Sequence, residues 1–184
     1  MIDEKLIHAA VELGKAANKM ADEHFPERLA GIVKLHAGLA VGAGLIPVPG
    51  ADMLAAGANI WAMYARINGE LDMPFSENAM KSIGMGVITN LGGLVIGAAV
   101  FGSIAKLVPG IGTFGGMAVA ATTIYGVTLL SGYVYMSAIA EILEKKSKDN
   151  ITVDDIKKAT SNQMSDKKEM KDFVKQAAKE YKKD

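Results

Sequence analysis

The sequence predicts an all-α protein built around two Gly-rich apolar helical hairpins. Three observations carry this reading. Apolar residues recur at three- and four-residue steps in the charged flanks. The middle of the chain contains long blocks almost free of charge. Each block is cut by one Pro-Gly segment that neither a helix interior nor a central strand accommodates.

The 184 residues are 50% hydrophobic but only 6% aromatic, with no Cys and zero formal net charge. Such apolar content at zero net charge excludes general disorder. Lacking Cys, the chain has no disulfide framework and no thiolate metal site. The charge balance argues against a nucleic-acid partner. Charge is strongly partitioned. Residues 35–140 hold only Arg66, Lys81, Lys106, Asp52, Glu70, Asp72 and Glu77, while residues 141–184 hold 12 Lys. This suggests three regions: an amphipathic N-terminal helix over 1–27, an apolar double hairpin over 28–144, and a Lys-rich helical tail over 145–184.

In the first region Ile2, Leu6, Ala9, Leu13, Ala17 and Met20 share one helix face, with Asp3 as N-cap. The helix should end near Phe25-Pro26, because the residue before proline is pushed out of the helical region. Its acidic opening does not read as a secretory signal.

The first hairpin turns at Ile46-Pro47-Val48-Pro49-Gly50, with Asp52 in the first turn of the returning helix. Asn68 to Lys81 reads as a polar link. The second hairpin has two uncharged arms, Ser82–Ala105 (24 residues) and Leu107–Ala140 (34 residues), around Pro109-Gly110-Ile111-Gly112. Each arm passes the length test for a membrane span of ~20 residues. The first hairpin is too short and reads as re-entrant or packed on protein. Gly38-Leu-Ala-Val-Gly42 echoes Gly93-Leu-Val-Ile-Gly97, and Val48-Pro49-Gly50 echoes Val108-Pro109-Gly110, so the hairpins read as a rough repeat forming a four-helix unit.

Gly38 and Gly42, Gly93 and Gly97, and Gly112 and Gly116 are spaced four apart, as close helix crossings require. Gly84 is expected outside such a crossing. In the tail, Thr152 and Asp155 form a capping-box pair, and Ser165 is expected to cap a last helix with Met170, Phe173, Ala177 and Tyr181 on one face.

No catalytic, cofactor-binding or metal-binding constellation emerges. Gly110-Ile-Gly112-Thr-Phe-Gly115 matches a dinucleotide fingerprint formally, but no strand precedes it and no acid follows at the required distance. His8, His24 and His36 are scattered and read as surface or helix-boundary residues. The expectation is a protein that is not an enzyme and needs no cofactor.

The two breaks carry a resemblance. IPVPGAD (46–52) followed by NIWAMYARI, and later KLVPGIGTFGG (106–116) before an apolar helix, resemble the family called domain of unknown function 697. The likeness covers roughly residues 28–143. It implies a bacterial helical membrane module of the kind often attached to dynamin-like or Era-like GTPases. This chain carries no P-loop, so the resemblance implies that any GTPase acts as a separate partner.

The expected function is therefore a membrane-associated module that self-assembles, with itself, the lipid bilayer and a GTPase as partners. The resemblance implies a place in or at the inner membrane, and the Lys bias puts both termini in the cytoplasm. One alternative is a cytoplasmic, water-soluble homo-oligomer burying its hairpins between subunits, since 184 residues do not easily hide two long apolar helices in one monomer. The other is a conditional pore-former.

Overall fold

A computed structural model describes Lys15, Lys19, Asp22, Glu23 and residues 25–43, 51–73, 75–96 and 114–166. Among these residues the chain is all-α. Its helices are α1 (Glu27–Ala43), α2 (Ala51–Glu70), α3 (Glu77–Ile96), α4 (Phe114–Leu143) and α5 (Val153–Asp166), with one 3-10 turn at Lys148–Asn150. The Pro47–Gly50 and Pro109–Gly112 breaks, the Asp3 cap, His8, His24 and the Met170–Tyr181 face lie outside the described residues.

Lys15, Lys19, Asp22 and Glu23 are helical, and Phe25 sits in a bend, as the following Pro26 requires. The Pro26 carbonyl accepts the amides of Leu29 and Ala30, opening α1. Leu29, Ala30, Val33, Ala37 and Ala40 are buried along α1 at helical spacing. The ion pair Arg28–Glu70 and the His36–Asn59 contact join α1 to α2. As residue numbers rise in one helix they fall in the other, so the two run antiparallel.

The end of α2 shows why the chain turns where it does. Asp72 adopts φ 52°, the left-handed conformation usual after a helix. The amide of Met73 reaches the Asn68 carbonyl at 2.8 Å, and that of Asp72 reaches Gly69 at 3.4 Å. These two bonds form a Schellman closure, with aspartate where glycine is usual. Ser76 then caps α3, its Oγ accepting the Ala79 amide at 3.3 Å. The polar link is therefore only residues 71–76. The expected span of Asn68 to Lys81 was too long, because both helix ends are closed locally and extend into it.

The central element is α4. From Thr128 to Met136 every residue is buried, followed by Ala138, Ile139 and Ile142. A helix buried on all sides is a core helix. The other four helices all contact α4. Tyr64 pairs with Ser131 and Asn68 pairs with Tyr135. Both numbers advance by four, so α2 and α4 run parallel. Glu141 meets Gln163, and Lys146 meets Asp155, so α5 returns antiparallel to α4. The helices thus alternate up and down, as in a bundle with hairpin connections. The bundle hides the last part of an apolar arm: from Thr128 to Ile139 that arm supplies much of the core.

The start of α5 follows the sequence closely. The Thr152 amide donates to Asp155 Oδ2 at 2.9 Å, and the Asp155 amide donates to Thr152 Oγ1 at 3.2 Å. This is the reciprocal capping pair. Ile156, Ala159, Thr160, Gln163 and Met164 are buried, while Lys157, Lys158, Ser161 and Asn162 are exposed. Ser165 lies inside the last turn of α5 rather than capping a new helix. The run from Val153 to Asp166 contains neither glycine nor proline to stop it earlier.

Candidate functional site

Four features stand out: a phenol-centred polar cluster in the core, a buried histidine, a groove at one end of the bundle, and an apolar outer stripe on α1.

In the cluster, the rings of Tyr64 and Tyr135 stack 3.9 Å apart at 11°. Tyr64 Oη lies 3.2 Å from the Ser131 carbonyl, to which it donates, and 3.1 Å from Ser131 Oγ. Tyr135 Oη donates to Asn68 Oδ1 at 2.9 Å, and Asn68 Nδ2 donates to Met80 Sδ at 2.8 Å. Three helices are thereby fixed to one another. Burial pushes the Tyr64 phenol far above its ordinary range, against a smaller opposing effect of the Ser131 hydrogen bond. A phenol held neutral in this way is neither a base nor a nucleophile. The cluster sets helix register.

His36 is 4% exposed, in the middle of α1. The expectation of a surface or boundary histidine is corrected here. Asn59 explains the burial. Its Nδ2 donates to the His36 carbonyl at 2.6 Å, so its Oδ1 is left to accept from His36 Nδ1 at 2.8 Å. The ring is thus a tautomer with Nδ1 protonated, and Nε2 is buried without a partner. Sequence reading missed this pair because 23 positions separate its members. Among the described residues no group of three or more His, Asp or Glu could hold a metal ion.

The groove, about 410 Å³, lies between the start of α1, the end of α2, the last turns of α4, and α5. Phe25, Leu29, Leu71, Met136 and Leu143 form much of its wall, with Gln163 and Glu141 at its polar side. Phe25 packs tilted on Tyr133, with 5.4 Å between ring centroids. Gln163 Nε2 donates to Glu141 Oε2 at 2.9 Å, and Lys145 Nζ donates to Glu141 Oε1 at 2.9 Å. Gln163 Oε1 is buried and has no partner.

Of the glycines expected at close crossings, Gly38 faces outward with open space where a side chain would begin. Gly93 lies in α3 and Gly116 in α4, and Gly42 lies near the end of α1. Their surroundings, and Gly97 and Gly112 altogether, lie outside the described residues. Asp52 falls in the first turn of α2, as expected. Among the glycines whose surroundings are described, the close approach is at Gly132. A Cβ there would lie 2.6 Å and 2.8 Å from the two γ-methyls of Val33. Gly132 has no glycine partner at a spacing of four, so the motif could not reveal it. Gly84 is buried, with Ile60, Trp61 and Tyr64 each 3.8 Å from its Cβ position. It is packed against α2 at ordinary contact distance rather than facing lipid or solvent.

On the outside of α1, Gly31, Leu35, Gly38 and Leu39 form one stripe, with Leu35 46% and Leu39 58% exposed. Among the described residues one helix segment, Tyr125–Leu143, is long and apolar enough to cross a membrane, with a mean hydropathy of 1.4. Of that segment 72% is buried within the bundle, so it passes the test as a core helix also would.

The described residues define an all-α up-and-down bundle organised around α4. No family model matches the chain, and no curated protein or solved structure matches it significantly. The resemblance to domain of unknown function 697 rests on the two turn motifs alone.

Proposed function

We propose that this chain is a non-enzymatic, membrane-associated module that self-assembles at the cytoplasmic face of an inner membrane. The observation carrying this reading is how the apolar sequence divides. The part of α4 from Leu129 to Ile142 fills the core of the bundle. The preceding residues, 88–124, carry a single charge, Lys106. Their two arms, 88–105 and 107–124, are each 18 uncharged residues around the Pro109 break. As a helix the first arm would be about 27 Å long, close to the ~30 Å hydrocarbon thickness, while the second, past its Pro109–Gly112 break, runs from Phe114 straight into the core part of α4. Exposure to water would cost them ~25 cal/mol per Å² of apolar surface. In this reading the bundle is the water-facing body and residues 88–124 meet the lipid. Any nucleotide-driven step is supplied by a separate GTPase, as the resemblance to domain of unknown function 697 implies.

Flotation of the full chain with liposomes tests the reading. The wild type should float with the vesicles, and a Leu94→Lys, Val100→Lys variant should stay at the bottom. Equal behaviour of the two proteins would refute it.

The α1 stripe favours a second reading. Leu35 and Leu39 flanked by glycines suit packing against another copy. A water-soluble homo-oligomer could then cover the charge-free segment between subunits. Sedimentation without detergent separates the two: a defined soluble oligomer that ignores liposomes supports the second.

A further inference from the structure

We infer that the groove between α1 and α2, with the exposed face of α1 beyond it, seats an anionic phospholipid of the bilayer. Its phosphate lies at Arg66 and Arg28, and its acyl chains run along Leu35 and Leu39. This extends the membrane reading above, on which it rests, by naming the face of the bundle that meets the head groups. The groove has a volume of about 500 Å³, and Arg28 and Leu35 of α1 and Arg66 and Glu70 of α2 are among its lining residues. The three charged residues are exposed. Arg28 holds Glu70 at 2.8 Å. Two guanidiniums against one carboxylate leave the described lining with one positive charge in excess. The planar guanidinium fork matches phosphate geometry. Gly31 and Gly69 also line the groove, with nothing within 4 Å of where a side chain would begin, so a head group can approach closely.

The order of the chemistry along the bundle selects lipid. Arg28, Ile32, Leu35 and Leu39 follow at steps of four, three and four, so they share one face of α1. His36 touches Asn59, which sets the level of α1 against α2. From that level Arg66 lies about two turns toward one end of the bundle, and Leu39 about one turn toward the other. Asn68 of α2 meets Met80 of α3, while Ile60 and Trp61 meet Gly84, so these helices also run antiparallel. Hence α1 and α3 finish at the same end. Residues 35–43 of α1 and 82–96 of α3 carry no formal charge, and α3 leads there into the uncharged segment. Toward the proposed bilayer the surface therefore changes from guanidinium to exposed leucine. A phospholipid presents phosphate and acyl chain in that order. A second copy would account for the leucines but not for the cations below them.

Site-directed quenching on the full chain tests this. Gly38 is exposed beside Leu39 and has open space around its Cβ position, so a fluorophore on Gly38→Cys leaves both leucines in place. The vesicles mix phosphatidylcholine with phosphatidylglycerol, and the quencher sits on the upper acyl chain of one lipid at a time. The label at 38 should be quenched, about fivefold more effectively by phosphatidylglycerol, the scale of one cation at an anionic surface. Arg66→Gln, at an exposed position, should abolish that preference. Circular dichroism checks that the variant is folded; if it is not, the lipid preference with Arg66 intact decides. A label on Val100→Cys in the same vesicles reports the membrane reading separately. Quenching at 100 but not at 38, equal quenching by the two lipids, or a preference that survives Arg66→Gln would overturn the inference and leave the membrane reading standing. Quenching at neither position would overturn both. A label at 38 already blue-shifted without vesicles, in a defined oligomer, would assign the stripe to a second copy and overturn the inference.

Discussion

Replacing Gly132 with alanine should destabilise the protein although alanine is the better helix former. The new Cβ would sit 2.6 Å and 2.8 Å from the γ-carbons of Val33 and 3.2 Å from its Cβ. Carbon atoms pack best at ~3.5–4.0 Å, so both γ contacts lie far inside the optimum. Val33 has no exposure and a stiff, β-branched χ1, which leaves it little room to turn away. Overpacking of a tight core costs about 1–3 kcal/mol, against a helix gain of ~1 kcal/mol for Gly→Ala. The net expected loss is up to about 2 kcal/mol. In a Val33→Ala background both γ-carbons are gone, and the same Gly132→Ala change should be neutral or stabilising. The double-mutant cycle should show a coupling of about 2 kcal/mol. Urea unfolding of the four proteins measures it. Stabilisation by Gly132→Ala in the wild-type background, or simple additivity, would refute the packing argument.

Other outcomes follow from the polar core and the cap. Tyr135→Phe leaves Asn68 Oδ1 without its donor and should cost about 1–3 kcal/mol by urea unfolding. Asn59→Leu removes the partner of both the His36 ring and its carbonyl and should destabilise by a similar ~1–3 kcal/mol; unchanged stability would mean that His36 does not depend on it. Thr152→Ala should cost about 1 kcal/mol through loss of the α5 cap. The Asp155 carboxyl is held down at about 2 by its hydrogen bond from Lys146 and those from Thr152. Its unfolded value is higher, so its contribution is present above about pH 4 and lost as pH falls toward 2. Asp155→Asn should flatten that part of the stability profile, as acid titration followed by circular dichroism would show.

Local signals in the sequence were legible, whereas distant pairings were not. Helical periodicity, the bend before Pro26 and the Thr152–Asp155 cap all act within four residues of one another. The C-terminal end of α2 was misplaced because Asp72 performs a turn that sequence reading assigns to glycine. The Tyr64–Tyr135 stack and the Val33–Gly132 contact join residues far apart in the chain, which periodicity cannot pair. His36 read as a surface or helix-boundary residue because the partner that offsets its burial, Asn59, lies on another helix. The groove was invisible for the same reason, since Gln163 and Glu141 acquire meaning only when α5 folds back on α4.

The central claim is that residues 88–124 meet lipid while the bundle stays in water. The chain has no cysteine, so each introduced one is a unique attachment point. The decisive measurement labels Val100→Cys and, separately, Lys158→Cys with an environment-sensitive fluorophore, and adds vesicles carrying a quencher on the lipid chains. Lys158 is exposed on α5, and Val100 belongs to the charge-free segment. The account predicts a blue shift and strong quenching at position 100 and neither at position 158. Absence of quenching at position 100, with the protein sedimenting as a defined soluble oligomer, would contradict it.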